Sequence, residues 1–150
     1  MRLSPLLLKL TVVLAPALAP LAAQALDYRS LSDNTPVFDA GSRQANAQFI
    51  LLKGTPVELI VSLDRWAKIR EAGGGIGWVE RGLLSERRQV IVTAPFAEVR
   101  QSAASDAPII FTAIKDLLLE LADKPTGSWV KVKHRDGRAG FIELKAVWGS

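Results

Sequence analysis

Hydrophobic and polar positions alternate with a period of two through Arg65 to Glu80, RWAKIREAGGGIGWVE, on both sides of a glycine cluster. The pattern predicts a β-hairpin with Trp66, Lys68 and Arg70 on one face and Ala67 and Ile69 on the other. It returns from Trp129 to Glu143, WVKVKHRDGRAGFIE. Trp66 and Trp129 stand 63 positions apart, as do Gly77 and Gly140. The chain therefore predicts as a two-fold repeat of one small β domain.

The other elements follow from that offset. In the first copy, Asp27 to Leu31 predicts a short strand, Ser32 to Pro36 a turn, and Val37-Phe38 a second strand broken at Asp39 to Ser42. Arg43 to Gln48 predicts a loop, and Phe49 to Leu52 a compact apolar run closed by Lys53-Gly54. Thr55 to Leu63 resumes as a strand, and Leu83-Leu84 closes the unit. Ser85 to Gln89 is the link. Val90 to Val92 then takes the place of Tyr28 to Ser30, Glu98 to Arg100 that of Pro36 to Phe38, and Gln101 to Pro108 forms the matching loop.

Two predictions conflict over Phe111 to Ala122, FTAIKDLLLELA. Ile114, Leu117, Leu118 and Leu121 have helical spacing, and the composition favours a helix. At an offset of 62, however, Leu119 and Leu121 fall on Val57 and Leu59, where Gly54 and Pro56 exclude a helix interior. The repeat decides for strand. In the second hairpin Asp136-Gly137 supplies a tight turn, whereas Gly73-Gly74-Gly75 predicts a looser, more mobile tip in the first.

Trp66-Ala67-Lys68-Ile69 with Gly77-Trp78-Val79, and Trp129-Val130-Lys131-Val132 with Gly140-Phe141-Ile142, resemble the hallmark of the bacterial SH3-like domain family. Lys53 to Leu59 resembles the family's glycine-led strand, with Asp116 in place of that glycine in the second copy. The resemblance implies an all-β chain of two tandem small SH3-like barrels, at 27–85 and 89–149, each of five or six short strands. It further implies an exported binding module for cell-wall peptides or peptidoglycan. Its groove residues would be Trp66, Lys68 and Trp78 in the first copy and Trp129, Lys131 and Phe141 in the second. The eukaryotic proline-peptide groove does not transfer, because its Ala-Leu-Tyr-Asp-Tyr motif is missing.

The N-terminus changes the charge argument. Arg2 and Lys9, the apolar run Leu10 to Ala23 and the small-x-small site Ala23-Gln24-Ala25 predict a signal peptide over 1–25, cleaved before Leu26. The run is shorter than a membrane span and contains Pro16 and Pro20, so no stable anchor is expected after cleavage. Export to a periplasm follows. Losing Arg2 and Lys9 takes the 19 basic residues to 17 against 15 acidic ones, a net charge of +2. That surplus is too small for a nucleic-acid stripe.

Candidate chemistry is sparse. No cysteine is present, which excludes thiol catalysis, thiolate metal sites and a lipidated N-terminus. His134, the only histidine, predicts as an exposed turn residue between Lys133 and Arg135, and no His-His metal site exists. Gly73 to Gly77 lacks the Gly-Lys-Ser/Thr ending of a phosphate loop, and no Gly-x-Ser-x-Gly elbow occurs. The expectation is a non-enzyme without cofactor or metal, whose partner is a peptide, a peptidoglycan fragment or an envelope protein. The competing class is a structural protein whose aromatics pack between the barrels. A third reading is an anionic-surface binder using Arg87, Arg88, Lys133, Arg135 and Arg138.

Overall fold

The computed structural model describes residues 25–150. The predicted signal sequence lies, but for Ala25, outside them. The first sheet comprises β1 (Tyr28–Leu31), β2 (Thr35–Phe38), β3 (Ala47–Leu51), β4 (Pro56–Ser62), β5 (Trp66–Arg70), β6 (Ile76–Glu80) and β7 (Leu84–Ser85). The second comprises β8 (Gln89–Val92), β9 (Phe96–Arg100), β10 (Ile109–Ile114), β11 (Leu118–Leu121), β12 (Trp129–Lys133), β13 (Ala139–Glu143) and β14 (Val147–Trp148). Strand order is 3-2-6-5-4-1-7 in the first and 10-9-13-12-11-8-14 in the second, the same order advanced by seven. All observed pairings are antiparallel. The all-β, two-unit architecture is thus as expected. There are seven strands per unit rather than five or six, because the chain after each 3-10 turn adds a two-residue strand.

Alternation places the core. Ala67, Ile69 and Val79 point inward from the first hairpin onto Leu31, Val37 and Val57, all at most 2% exposed. Val130, Val132 and Ile142 do the same beneath Val90, Val92, Val99 and Leu119. Each buried valine, leucine or isoleucine contributes about 1.5–3 kcal/mol of burial free energy. Two small cores, one per sheet, are the result.

The segment with conflicting signals is extended. β10 and β11 are strands, joined by a turn in which Asp116 holds φ at +68°. Its repeat mate Gly54 holds φ at +84°. The helical spacing of Ile114, Leu117, Leu118 and Leu121 was overridden by tertiary packing, which buries Leu119 against the second core.

The loop predicted over Arg43 to Gln48 is shorter than expected. Ala47 and Gln48 already belong to β3, whose pairing with β2 shifts register between Val37 and Phe38. The same shift recurs in β10 between Ile109 and Phe111. Such bulges bend the strand and sharpen its twist, which curls each sheet around its core.

The two motif glycines allow this curling. A Cβ on Gly77 would lie 2.3 Å from Val37 Cγ1 and 2.9 Å from the Phe38 carbonyl oxygen. One on Gly140 would lie 2.5 Å from the Arg100 carbonyl oxygen. Only glycine lets β2 cross β6, and β9 cross β13, at that distance.

The glycine tip is not loose. The Glu71 carboxylate accepts hydrogen bonds from the Gly73 and Gly75 N–H groups, each at 2.6 Å. In the second tip the Gly137 N–H donates to the His134 carbonyl at 2.9 Å.

The units join through side chains at their ends. The Tyr28 and Trp148 rings meet edge to face at 5.0 Å, and the Arg88 guanidinium lies over the Tyr28 ring. The Gln89 N–H donates to the buried Ser30 Oγ at 2.9 Å, and Arg88 donates to the Gly149 carbonyl at 2.8 Å. Burial pushes the Arg88 pKa down and, together with the nearby Glu58 carboxylate, pushes the Tyr28 phenol up.

Candidate functional site

Hairpin β5–β6 sets Trp66, Lys68 and Trp78 on its outer face, since Lys68 lies opposite Trp78 and Trp66 opposite Glu80 in register. All three are half-buried. Phe38, brought alongside by β2, meets Trp66 edge to face at 5.6 Å. The β2–β3 loop then folds over both tryptophans. A Cβ on Gly41 would lie 3.3 Å from Trp66 Cβ and Cγ and from Trp78 Cε3, so the loop backbone rests on both.

Two features hold that loop. The Asp39 carboxylate accepts from the Asn46 backbone N–H and side-chain amide, both at 3.1 Å. Arg43 makes a bidentate pair with Glu80, Nε to Oε1 at 2.8 Å and the terminal nitrogen to Oε2 at 2.9 Å. The hydrogen bond from Arg43 lowers the Glu80 pKa, and its counterpart raises that of Arg43. Between loop and hairpin lies a cleft of about 630 Å³, with Ser42, Arg43 and Gln44 on one wall and Asp64, Arg65, Trp66 and Glu80 on the other. Its lining is mostly polar.

The second unit does not copy this site. Trp129 is again half-buried and lines a cleft, of about 550 Å³. Here the other walls are Ala94, Phe96, Ala97 and Ala146, with Glu98, Arg100, Glu143 and Lys145 at the rim. Arg100 takes the position of Phe38, pairs with Phe141 in register, and donates to the Ala107 carbonyl at 2.6 Å. Lys131 and Phe141 lie opposite one another on the hairpin, the lysine exposed and the phenylalanine half-buried. Of the six residues singled out by the sequence, Trp66 and Trp129 line the two clefts. Lys68, Trp78, Lys131 and Phe141 extend the same faces.

His134 departs from expectation. Its side chain is 15% exposed, packs on Phe111 at 5.7 Å between ring centres, and lies 2.9 Å from an Asp136 oxygen. Arg138 stacks on the same ring, its guanidinium 4.6 Å from the Phe111 centroid, and pairs with Asp136 at 2.7 Å. Its hydrogen bonds to Asp136 hold that carboxyl well below the usual carboxylate range. The basic residues of the third reading are accordingly divided. Arg87, Lys133 and Arg135 line a third cleft, of about 660 Å³, with Asp116 and Glu120. Arg88 joins the two units and Arg138 braces the hairpin tip. Among the described residues no group of three or more His, Cys, Asp and Glu is placed to hold a metal ion.

Sequence reasoning missed Phe38, Arg43, Glu80 and Phe96. Phe96 had no signal in the repeat, because its counterpart is Asn34.

Comparison with known proteins places this architecture. The family description "Bacterial SH3 domain" matches residues 32–86 and 93–149, and the chain belongs to that family. Each unit is therefore a domain of a binding-module class. No curated protein matches the chain. Among solved structures it is similar to NlpC2 from Trichomonas vaginalis, with 14% identity over 86% of this chain and 50% of that one, at a TM-score of 0.40. It is also similar to NlpC1 from Trichomonas vaginalis, with 14% identity over 92% of this chain and 51% of that one, at a TM-score of 0.39. An NlpC/P60 family protein from Bacillus cereus ATCC 10987 shows 12% identity over 81% and 55%, at a TM-score of 0.36. The chain spans about half the length of these structures.

Proposed function

We propose that the protein is an exported, non-enzymatic binding module of the periplasm that takes a peptide, a peptidoglycan fragment or an envelope protein in its tryptophan-lined clefts. One observation carries this reading: in each unit the first motif tryptophan, Trp66 or Trp129, is half-exposed on the wall of an open cleft. Clefts of this size with an aromatic wall and a few polar groups suit a short peptide or glycan-peptide. The purely structural alternative would bury Trp66 and Trp129 between the units, whereas the aromatic contact at the joint is Tyr28 with Trp148. Lys68 and Trp78, with Lys131 and Phe141, would flank the bound ligand along the hairpins.

The test is a titration with soluble peptidoglycan fragments read by tryptophan fluorescence, repeated with Trp66→Ala and Trp129→Ala. The expected result is a saturable change lost in one variant, which identifies the unit that binds. No change at about millimolar ligand, where binding would be worth only about 4 kcal/mol, would abandon wall binding in favour of a protein partner.

A further inference from the structure

The outer face of the second unit carries an apolar surface that the motif residues do not account for. Along β9, Ala97 and Val99 are buried while Phe96, Glu98 and Arg100 point outward. Ile114 of β10 lies directly opposite Phe96 in register. Phe96 is 71% exposed and Ile114 67% exposed, so an aromatic and an aliphatic side chain stand together in solvent. Phe96 also lines the Trp129 cleft, with Ala94, Ala97 and Ala146. Phe96 therefore links the exposed Ile114 at the sheet edge to the Trp129 cleft.

Charge narrows the occupant. The four ionic groups at the rim are matched within the chain: Arg100 pairs with Glu98, and Lys145 with Glu143. Within the cleft a charged ligand would have to compete with these pairs for its counter-charge. An uncharged one meets no such cost.

The backbone narrows it further. β10 is the outermost strand of its sheet, and its sequence IIFTAI has six residues without a charge or a proline. Outermost strands leave one row of N–H and C=O groups free, and proteins that do not use that row usually guard it with lysine or proline. Here Pro108 and Lys115 stand only at the two ends. An extended segment laid along β10 would pair with this row and set alternate side chains on the face of Ile114 and Phe96.

Resting on the reading of the chain as a binding module, we infer that the Phe96–Ile114–Trp129 surface binds an extended, uncharged apolar segment of a protein partner by strand addition to β10. The first unit shares the uncharged outer strand, β3, with Leu52 65% exposed just beyond it at the place of Ile114, but lacks the aromatic beside it. Asn34 replaces Phe96, Phe38 is engaged by Trp66, and the cleft wall is Ser42, Arg43 and Gln44. The two clefts thus select different chemistry.

The test is selection of a random heptapeptide display library on the intact protein, in parallel with Phe96→Ser, Ile114→Thr and Leu52→Thr. Phe96 and Ile114 are exposed, so these variants keep their cores, and circular dichroism checks this. The expected peptides are uncharged with alternating apolar residues. Their binding should fall roughly tenfold or more in Phe96→Ser and Ile114→Thr and stay unchanged in Leu52→Thr, the first-unit counterpart of Ile114. It should be indifferent to salt between about 0.05 and 0.5 M. Amide exchange should slow at Ile109 to Ile114 in the complex. Enrichment of acidic peptides, unchanged binding in both second-unit variants, or no enrichment at all would overturn the inference. So would a concentration-dependent dimer abolished by Phe96→Ser, which would assign the edge to self-association. The peptidoglycan titration through Trp66 is a separate readout, so the binding-module reading survives or fails on its own.

Discussion

Gly54 and Asp116 occupy the same position in the two units and share a left-handed backbone, with φ at +84° and +68°. The position needs that conformation because each residue ends the turn that feeds the strand beneath the domain core. Glycine adopts it freely, while aspartate does so with strain partly relieved by its short polar side chain.

Asp116→Gly is therefore expected to stabilise the second domain by up to about 1 kcal/mol, and Gly54→Ala to destabilise the first by more than about 1 kcal/mol. Urea denaturation followed by tryptophan fluorescence would read both. A neutral Gly54→Ala would remove the backbone argument.

The close strand crossings make a second pair of substitutions informative. Gly77→Ala and Gly140→Ala place a methyl group against backbone carbonyl oxygens and core valines, and each is expected to cost about 1–3 kcal/mol. Gly82→Ala, where a Cβ meets nothing within 4 Å, should stay within about 0.5 kcal/mol of the parent. Equal denaturation midpoints for all three would mean that the crossings are not close.

The joint between the domains has a spectroscopic handle, because Tyr28 is the only tyrosine. Burial and the Glu58 charge raise its phenol above the ordinary value of 10.0, so absorbance at about 295 nm should titrate at higher pH in the folded protein than in urea. A group whose folded pKa is raised contributes stability fully below its unfolded pKa. That contribution is lost as pH rises from about 10 through the folded value. Trp148→Ala should move the titration back toward the ordinary value. A folded midpoint equal to the unfolded one would contradict the packed joint.

Much of the fold was legible because the repeat supplied a second observation of every element. At Phe111 to Ala122 local propensity pointed to a helix, and only the alignment with Gly54 and Pro56 opposed it. The same logic located the groove tryptophans but misled at the sites. It carried the first cleft over to the second, whereas Arg100 stands where Phe38 would be and Phe96 where asparagine would be. The Arg43–Glu80 pair joins residues 37 positions apart, and the Phe111–His134 contact joins two elements. Neither leaves a trace in local alternation. His134 looked exposed because its neighbours are charged; strand alternation alone says nothing of a phenylalanine on β10, which is not a neighbour of β12 in the sheet.

The loop resting on Trp66 and Trp78 covers part of both rings. A ligand that needs the faces of both rings binds only the fraction of molecules in which Gly41 has lifted, and its apparent affinity falls by that fraction. The exposed Arg43–Glu80 pair is one of the two contacts that hold the loop, and salt screens such pairs. Ionic strength would then tune how much of the aromatic surface is on offer, even toward a ligand that carries no charge.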